Sequence, residues 1–205
     1  MKVLIVTGGI GSGKSYICRM LAEKYAIPVY EADKRVKALY TEQPVMLDRI
    51  EDLLGYNFRN DAGEFVPQSL AEVIFNDPVA LDKVEDVVFP YLKNDFSVWA
   101  QSQVKGIVAF ESATVLEKSQ FAGFGDIVLL VDAPTDMRAL RASLRDGVDT
   151  EKIKVRMASQ PLMNKISAGF KCSRVDYILS NVSTLSDLEQ KLDEFIEKYA
   201  ITKML

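Results

Sequence analysis

Eight residues near the amino terminus constrain this chain more than any other stretch. They are Gly8-Gly9-Ile10-Gly11-Ser12-Gly13-Lys14-Ser15, and they fit the pattern G-x-x-x-x-G-K-[ST]. The apolar run Val3-Leu4-Ile5-Val6 comes before them and predicts a buried strand, whereas residues 16–25 carry apolar side chains at helical spacing. Strand, glycine loop and helix are the context in which this pattern binds nucleotide phosphates.

The residue types of this segment suit a phosphate group. Gly8, Gly11 and Gly13 let the backbone turn tightly and bring its N–H groups close to phosphate oxygens. The amino-terminal end of the following helix adds partial positive charge. We expect Lys14 to reach the β- and γ-phosphates and the hydroxyl of Ser15 to bind Mg²⁺. A glycine-rich turn with a surface lysine is the alternative, and the flanking strand and helix argue against it.

Length, charge and composition narrow the class of protein. A chain of 205 residues suits one α/β domain with insertions or two small domains. The formal charge of −4 argues against a general nucleic-acid binder, and no apolar run reaches transmembrane length, so we expect no membrane partner. The two cysteines form no disulfide or metal pattern, which favours a reducing cytoplasm. There is no histidine, so acid–base chemistry falls to Asp, Glu or Lys.

Predicted strands alternate with helices along the chain. Apolar runs at residues 26–30, 107–110, 127–131 and 175–181 predict four further strands. This alternation predicts an open, mostly parallel sheet. Residues 34 to about 100 have helical patterns, and such a long insertion usually holds a second substrate. The alternative is a set of crossover helices that cover the sheet.

Carboxylates follow two of the predicted strands. Asp33 comes just after the second strand and Glu111 ends the third. In a parallel sheet that carries a phosphate loop, the carboxyl ends of the strands face the ligand crevice. We therefore expect both residues to have a role in the site. Asp33 has the alternative, compatible role of capping a helix that starts near Lys34.

Residues 136–156 are predicted to be helical and basic. Arg138, Arg141 and Arg145 are spaced three and four apart, so they share one helix face. After a phosphate loop, such a face is typical of a lid that binds the phosphoryl group during transfer. A solvated face is the alternative.

Together these segments resemble the dephospho-coenzyme A kinase family, P-loop kinases related to the nucleoside monophosphate kinases. The glycine loop alone indicates only a P-loop protein, whereas the order and spacing of all the parts is specific. The parts are residues 7–15, 31–33, 73–78, Leu81, 89–90, 111–117, 131–134, Arg141, Arg145, Gln160, Asp176 and Asn181.

The resemblance implies both a fold and a reaction. The fold is a three-layer P-loop kinase fold with a parallel five-stranded sheet, a helical substrate-binding insertion and a small helical lid. The implied core is 1–34, 101–137 and 166–205, with the insertion at 35–100 and the lid at 138–165. The reaction transfers the ATP γ-phosphoryl group to the 3′-hydroxyl of dephospho-CoA with Mg²⁺, giving CoA and ADP. The partners would be these two small molecules, and the chain would be a monomer or weak homo-oligomer.

Site residues carry over from the family by position. Lys14, Asp33 and Arg141 are the expected catalytic residues, with Asp33 as the base toward the ribose hydroxyl. The substrate contacts would come from Asp33, Glu111 and Arg141, and the metal contact from Ser15. The expected ATP contacts are Gly11, Ser12, Gly13, Lys14, Ser15, Tyr16, Arg145 and Asn181, the last near the adenine.

Several positions depart from the family pattern. Tyr16 stands where threonine is common, Glu31 replaces an aspartate, and Phe89 replaces a histidine before Pro90. Residues 111–117 are a divergent form of an Asp-x-Pro-Leu-Leu-Phe-Glu pattern. These departures concern substrate contacts rather than the reaction class.

Two other functions compete with this interpretation. Another P-loop kinase, for a nucleoside or nucleotide, would share the loop, the sheet and the basic lid. A nucleotide-gated switch of the GTPase kind would need an Asn-Lys-x-Asp motif after a late strand. The nearest string, residues 164–167, lacks the aspartate, and residues 52–55 match another switch pattern inside a predicted helix.

Overall fold

The computed structural model describes residues 1–201 and divides into two compact units. The first unit contains residues 1–31 and the described residues from 103 onward, and the second contains Ala32–Ser102. The strands are β1 (Lys2–Thr7), β2 (Val29–Glu31), β3 (Ile107–Glu111), β4 (Ile127–Asp132) and β5 (Tyr177–Ser180). The helices are α1 (Lys14–Tyr25), α2 (Ala32–Glu42), α3 (Pro44–Leu54), α4 (Pro67–Asn76), α5 (Pro78–Gln101), α6 (Thr135–Asp146), α7 (Thr150–Ala158), α8 (Pro161–Ser167) and α9 (Leu185–Lys198), with a short 3₁₀ turn at Ser119–Phe121.

A single parallel sheet organises the first unit. Its strand order is β2-β3-β1-β4-β5, which confirms the prediction of a parallel five-stranded sheet. Val6 of β1 lies opposite Glu111 of β3, and Glu111 in turn lies opposite Glu31 of β2. The carboxyl ends of these three strands therefore lie level at one edge, where the chain leaves β1 for the glycine loop.

The core of the first unit explains why these apolar runs become strands. The central strands are buried on both faces, as parallel strands between helices must be. Helices α1 and α9 pack against them, and each buried aliphatic side chain stabilises the fold by ~1.5–3 kcal/mol. The buried set includes Leu4, Val6, Ile17, Leu21, Ile107, Leu129, Val131, Leu179, Leu188, Leu192 and Phe195. Cys18 is buried in the same core, as its position in the first helix predicts.

Four helices form the second unit. Helices α2, α3 and α4 each pack against the long helix α5. Helix α4 ends at Asn76 and α5 begins at Pro78. Asp77 between them caps α5 by accepting hydrogen bonds from the N–H groups of Val79 (2.8 Å) and Ala80 (3.2 Å). Gly55 ends α3 with φ +72°. Within residues 1–201, no helix is both long enough and apolar enough to cross a membrane.

Two element boundaries differ from prediction. The second strand is shorter, because Ala26 takes a left-handed conformation (φ 52°) and its N–H bonds the carbonyl of Leu21, so residues 26–28 end α1. The basic helix predicted over 136–156 is two helices. Gly147 (φ +63°) ends α6, and the side chain of Asp149 caps α7 by accepting from the N–H of Glu151.

Candidate functional site

The glycine-rich segment, called the phosphate loop below (residues 8–15), joins the carboxyl end of β1 to the amino end of α1. Gly13 is the N-cap of α1 with φ +106°, and Gly11 has φ +75°. Both lie in the left-handed region that favours glycine. A Cβ at Gly11 would lie 2.0 Å from the carbonyl oxygen of Arg138, and one at Gly13 would lie 2.3 Å from Nδ2 of Asn181. These glycines are therefore required both by conformation and by space.

Lys14 extends back along the phosphate loop. Its Nζ donates to the carbonyl of Gly8 at 2.9 Å and to that of Gly9 at 3.4 Å. It also lies 3.9 Å from Oε1 of Glu111, and both side chains are mostly buried. The sheet thus brings two of the predicted residues together, Lys14 from the loop and Glu111 from the end of β3. Phosphate oxygens entering the loop would offer the ammonium group better acceptors than these neutral carbonyls.

Three side chains from later in the chain bond the backbone of the phosphate loop. Nδ2 of Asn181, directly after β5, donates to the carbonyl of Ser12 at 2.8 Å. Nε of Arg138, in the first turns of α6, donates to the carbonyl of Ile10 at 3.1 Å. Oε1 of Gln160, between α7 and α8, accepts from the N–H of Ile10 at 2.9 Å. All three side chains are buried, so they fix the loop from its protein side.

The structure corrects the interpretation of Arg138. Its spacing predicted a lid face shared with Arg141 and Arg145, but its side chain is fully buried. The first turns of α6 lie against the phosphate loop and against Ser167 of α8, while the end of the same helix is open to solvent. Helical spacing alone cannot predict this difference in burial, because it shows which residues share a face and not which turns of the helix pack against other elements.

Arg141 and Arg145 line one cavity with residues 11–15 of the phosphate loop, called the loop cavity below, of about 210 Å³. Nη1 of Arg141 donates to the carbonyl of Asn181 at 3.1 Å. Arg145 makes two hydrogen bonds to Asp146, at 2.7 and 3.1 Å, and Nη1 of Arg156 makes a third at 3.0 Å. The hydrogen bond from Arg145, with that from Arg156, lowers the pKa of Asp146 to about 2. Arg145 is therefore paired with a carboxylate at the mouth of the loop cavity.

A second cavity, called the strand-end cavity below, occupies about 310 Å³ and shares Ser15 with the loop cavity. It is lined by Ser15, Cys18, Arg19, Ala22, Val29, Glu31 and Glu111. Burial and the nearby carboxylate of Glu111 raise the pKa of the Cys18 thiol, so this group stays protonated. Ser15 lines both cavities, and Glu31 and Glu111, which end two strands, line the strand-end cavity with it.

Oxygen donors around Ser15 fit a hard cation. Carboxylates and hydroxyls are ligands that Mg²⁺ accepts, and Mg²⁺ usually binds through one or two protein groups plus substrate phosphates. Among residues 1–201, no group of three or more His, Cys, Asp or Glu could hold a metal by itself. The arrangement suits an ion that arrives with a nucleotide.

Tyr16 points away from both cavities. Its hydroxyl donates to Glu189 of α9, and this hydrogen bond raises the pKa of Tyr16. The guanidinium of Arg19 lies 5.0 Å from the centre of its ring. The backbone N–H of Tyr16 bonds the carbonyl of Gly13 at 3.0 Å, and the nucleotide contact of Tyr16 stays a prediction.

Asp33 belongs to the second unit and is the second residue of α2. The predicted cap role is wrong, because the helix starts at Ala32 rather than near Lys34 and Asp33 lies inside its first turn. Within this unit Asp33 lines a cavity of about 270 Å³, called the α2–α5 cavity below. The other lining residues are Val36, Lys37, Tyr40, Ile74, Leu81, Val84, Glu85, Val88 and Phe89. A carboxylate thus opens onto a largely apolar space.

The two strings that resemble switch motifs lie in helices. Residues 164–167 fall within α8, and residues 52–55 span the end of α3. A guanine-binding motif follows a strand, so neither string is placed to bind a base. The structure therefore disfavours a GTPase-like switch.

The sequence did not predict that Arg138, Asn181 and Gln160 hold the phosphate loop. Arg138 was assigned to the lid, Asn181 to the adenine, and Gln160 had no assigned function. Their contacts cross 128, 169 and 150 residues of chain, so no local pattern reveals them. The small residues Ala139 and Ala142 beside Arg138, both buried, are the one available signal that α6 packs closely.

Comparison of the sequence with known protein families identifies the family. The sequence model of the dephospho-CoA kinase family matches residues 2–187. The chain belongs to the dephospho-CoA kinase family. A family relative from Porphyromonas gingivalis, named dephospho-CoA kinase, is 38% identical over 155 residues, which cover 76% of this chain and 75% of that protein. This confirms the resemblance seen in the sequence motifs.

Solved structures show the same fold. The protein TT1252 from Thermus thermophilus has a TM-score of 0.79 at 25% identity and covers 96% of this chain and 97% of its own. A dephospho-CoA kinase from Campylobacter jejuni has a TM-score of 0.65 at 20% identity and covers 98% of each chain. The dephospho-CoA kinase fold thus extends over nearly the whole chain.

Proposed function

We propose that this protein transfers the γ-phosphoryl group of ATP to the 3′-hydroxyl of dephospho-CoA, giving CoA and ADP, the last step of CoA biosynthesis. The observation that carries the proposal is the family match over residues 2–187. It is supported by a phosphate loop whose Lys14, Ser15 and glycines are already placed around an open cavity. Phosphoryl transfer depends mainly on positioning and charge neutralisation, and the first unit supplies groups for both.

The phosphate loop binds the β- and γ-phosphates in this mechanism. Its backbone N–H groups and the amino end of α1 provide partial positive charge. Nζ of Lys14 exchanges the carbonyls of Gly8 and Gly9 for phosphate oxygens. Ser15, with Glu31 and Glu111 beyond it, would hold Mg²⁺. When bound, this ion neutralises charge on the phosphoryl oxygens.

Arg141 and Arg145 bind the migrating phosphoryl group from the opposite side of the loop cavity. Arg145 must first leave Asp146, so its charge becomes available when a phosphate competes for it. The lid was expected at residues 138–165. We propose that its mobile part is confined to the residues between Arg138 and Gln160, because these two side chains are bonded to the phosphate loop. Two buried side chains from α7, Ile153 and Met157, pack with Ala139 and Ala142 of α6 in a small core of their own.

Asp33 is the proposed base. Its carboxylate accepts the hydrogen bond of the ribose 3′-hydroxyl and takes the proton as the oxygen bonds to the γ-phosphorus. The bond from that phosphorus to the leaving oxygen of ADP breaks in the same in-line step, without a covalent enzyme intermediate. The chain has no histidine that could serve instead.

We also propose a cytoplasmic protein that acts as a monomer or weak homo-oligomer. Cys18 and Cys172 are both free thiols, which suits a reducing compartment.

The test is a direct assay of the acceptor. The protein is incubated with ATP, MgCl₂ and dephospho-CoA, with adenosine and AMP as competing acceptors and GTP as a competing donor. We expect CoA, identified by mass spectrometry and by its 3′-phosphate signal in ³¹P NMR. A higher kcat/KM for adenosine or AMP would instead show a nucleoside or nucleotide kinase.

Lys14→Ala is the matched control for this assay. The glycines give the loop its shape, so the variant should stay folded, which a thermal melt checks, and should lose most of its turnover. Near-normal turnover in a folded Lys14→Ala protein would show that the product comes from a contaminant or that the loop is not the phosphate site.

A further inference from the structure

Arg138 places a buried positive charge directly beneath the phosphate loop. Its side chain is fully buried. Nη1 donates to Oγ of Ser167 at 3.0 Å, and that hydroxyl donates to Oδ1 of Asp132 at 2.7 Å. Asp132 itself lies 3.9 Å from Nη1. Burial lowers the pKa of Arg138 and Asp132 raises it in part, but a guanidinium stays protonated in a protein.

The remaining nitrogen of this group faces the loop. Nη2 of Arg138 is buried and has no hydrogen-bond partner among the described residues. A Cβ added at Gly9 would lie 2.0 Å from it. Gly9 is not among the glycines with a left-handed φ, so the guanidinium, rather than the backbone conformation, excludes a side chain there. Gly9 and Arg138 therefore fit each other.

Peptide geometry gives the contact a direction. In a planar trans peptide, the C=O of one residue and the N–H of the next point to opposite sides. Because Nε of Arg138 holds the carbonyl of Ile10, the N–H of Gly11 is turned away from the guanidinium. Gly11 lines the loop cavity, so its N–H is available to a ligand. Asn181 holds the carbonyl of Ser12 in the same way, so the N–H of Gly13 is turned away from the Asn181 side chain.

We propose that Arg138 is a positioning residue that presents the Gly11 N–H to the nucleotide phosphates. It acts through the Ile10–Gly11 peptide and touches no substrate. Asn181 has the equivalent role for Gly13, so the loop has two separately held donors. This inference rests on the proposed function, because it requires the phosphate loop to bind a nucleotide.

The two donors can be observed one at a time. Glycine-selective ¹⁵N labelling reports the amides of Gly11 and Gly13 as MgADP is added. In Arg138→Met, which removes the donor at similar length, we expect the ADP-induced shift of Gly11 to shrink while that of Gly13 persists. In Asn181→Ala we expect the reverse. Wild-type shifts at Gly11 in Arg138→Met would overturn the proposal.

Kinetics separate positioning from plain stability. A misplacement of about 1 Å can cost ~10²-fold in rate, so kcat/KM for ATP should fall by up to that factor in Arg138→Met at temperatures where the variant is folded. KM for dephospho-CoA should stay near the wild-type value. Arg138→Lys keeps the charge and one donor and should recover part of the loss. A lower melting temperature with unchanged kinetics would show that Arg138 only stabilises the fold.

Gly9→Ala supplies a test that does not depend on the methionine variant folding. Alone, the added methyl should displace the guanidinium and weaken MgADP binding. Combined with Arg138→Ala, it should add little further loss, because the obstructing group is gone. Additive losses would overturn the proposal. If the wild-type protein shows neither ADP-induced shifts nor transfer, the proposed function fails and this inference fails with it. If the wild type shows both and the variants have the same shifts and rates as the wild type, only the inference is overturned.

Discussion

Asp33 occupies the first turn of α2, where a carboxylate already interacts favourably with the helix amino terminus. Because Asp33 lies inside the helix, it is not the N-cap, and two other roles remain to be distinguished. Either the carboxylate takes a proton during transfer, or it only contributes about 0.3–1 kcal/mol to the helix. The two roles predict very different effects on rate.

Asp33→Asn should separate them. General-base loss typically costs ~10²–10⁴ in rate, so single-turnover transfer should slow by that factor while binding of ATP and dephospho-CoA changes little. Glu85→Gln is the matched control, because Glu85 is another acid lining the α2–α5 cavity. If the well-folded Asn variant transfers phosphoryl at the wild-type rate, Asp33 is not the base.

The lid arginines give a second prediction at the residue scale. Removing Arg141 or Arg145 should lower kcat more than it weakens ATP binding, because these groups act mainly when the phosphoryl group migrates. Such an arginine can be worth ~10³–10⁵ in rate. Arg156→Ala is the control, since Arg156 bonds the same Asp146 but does not line the loop cavity. Equal small effects from all three variants would show that Arg141 and Arg145 belong to a solvated helix face and have no part in the transfer.

The positions of site residues were predictable from the sequence only where the motif is local, and their roles stay predictions. Lys14 and Ser15 follow from eight consecutive residues, and Glu111 follows from its place after an apolar run. Arg138 was misassigned because helical spacing predicts which residues share a helix face but does not predict which of them are buried. The side-chain contact of Asn181 with Ser12 depends on how β5 enters the sheet, which no window of sequence contains.

At the scale of elements, hydrophobic patterning predicted the strands well and their ends less well. Runs such as Ile127–Asp132 are buried on both faces, and a short apolar run of this kind is typical of a buried strand. The ends of α1 and α6 depend on single left-handed residues, Ala26 and Gly147. Alanine rarely takes that conformation, which is why the sequence pointed to a strand from residue 26.

Glu117 joins two elements and gives the prediction at this scale. Its carboxylate accepts from the N–H groups of Leu162 (2.9 Å) and Met163 (3.2 Å) at the start of α8. Glu117→Ala should leave these donors without their partner and destabilise the first unit by about 1–3 kcal/mol. Glu117→Gln keeps one acceptor oxygen and should lose less.

Hydrogen exchange supplies the measurement for Glu117. The amides of Leu162 and Met163 should exchange faster in the Ala variant, with the Gln variant in between. Denaturation by urea gives the free energy in parallel. Unchanged exchange at both amides would mean that water satisfies the start of α8 and that Glu117 is dispensable there.

For the molecule as a whole, the two units should respond differently to nucleotide. The residues that line the loop cavity all belong to the first unit. A ligand that binds only the folded state stabilises it by about 2.7 kcal/mol at 100 times its Kd. We expect MgADP alone to slow hydrogen exchange in β1, α1 and α6 and to leave α3 and α4 unchanged.

Lys14→Ala is the control for that experiment and should abolish the slowing. Equal protection of α3 and α4 in the wild type would show that ADP binding also orders the second unit. That result would contradict the expectation that the nucleotide site belongs to one unit.

The bonds that hold the phosphate loop also bear on how the protein is made. Residues 8–15 leave the ribosome before their partners, which follow 128 to 169 residues later. A nascent chain therefore carries the complete motif long before it carries the side chains that shape it. Full nucleotide affinity should therefore emerge late in synthesis, after Asn181 has cleared the exit tunnel.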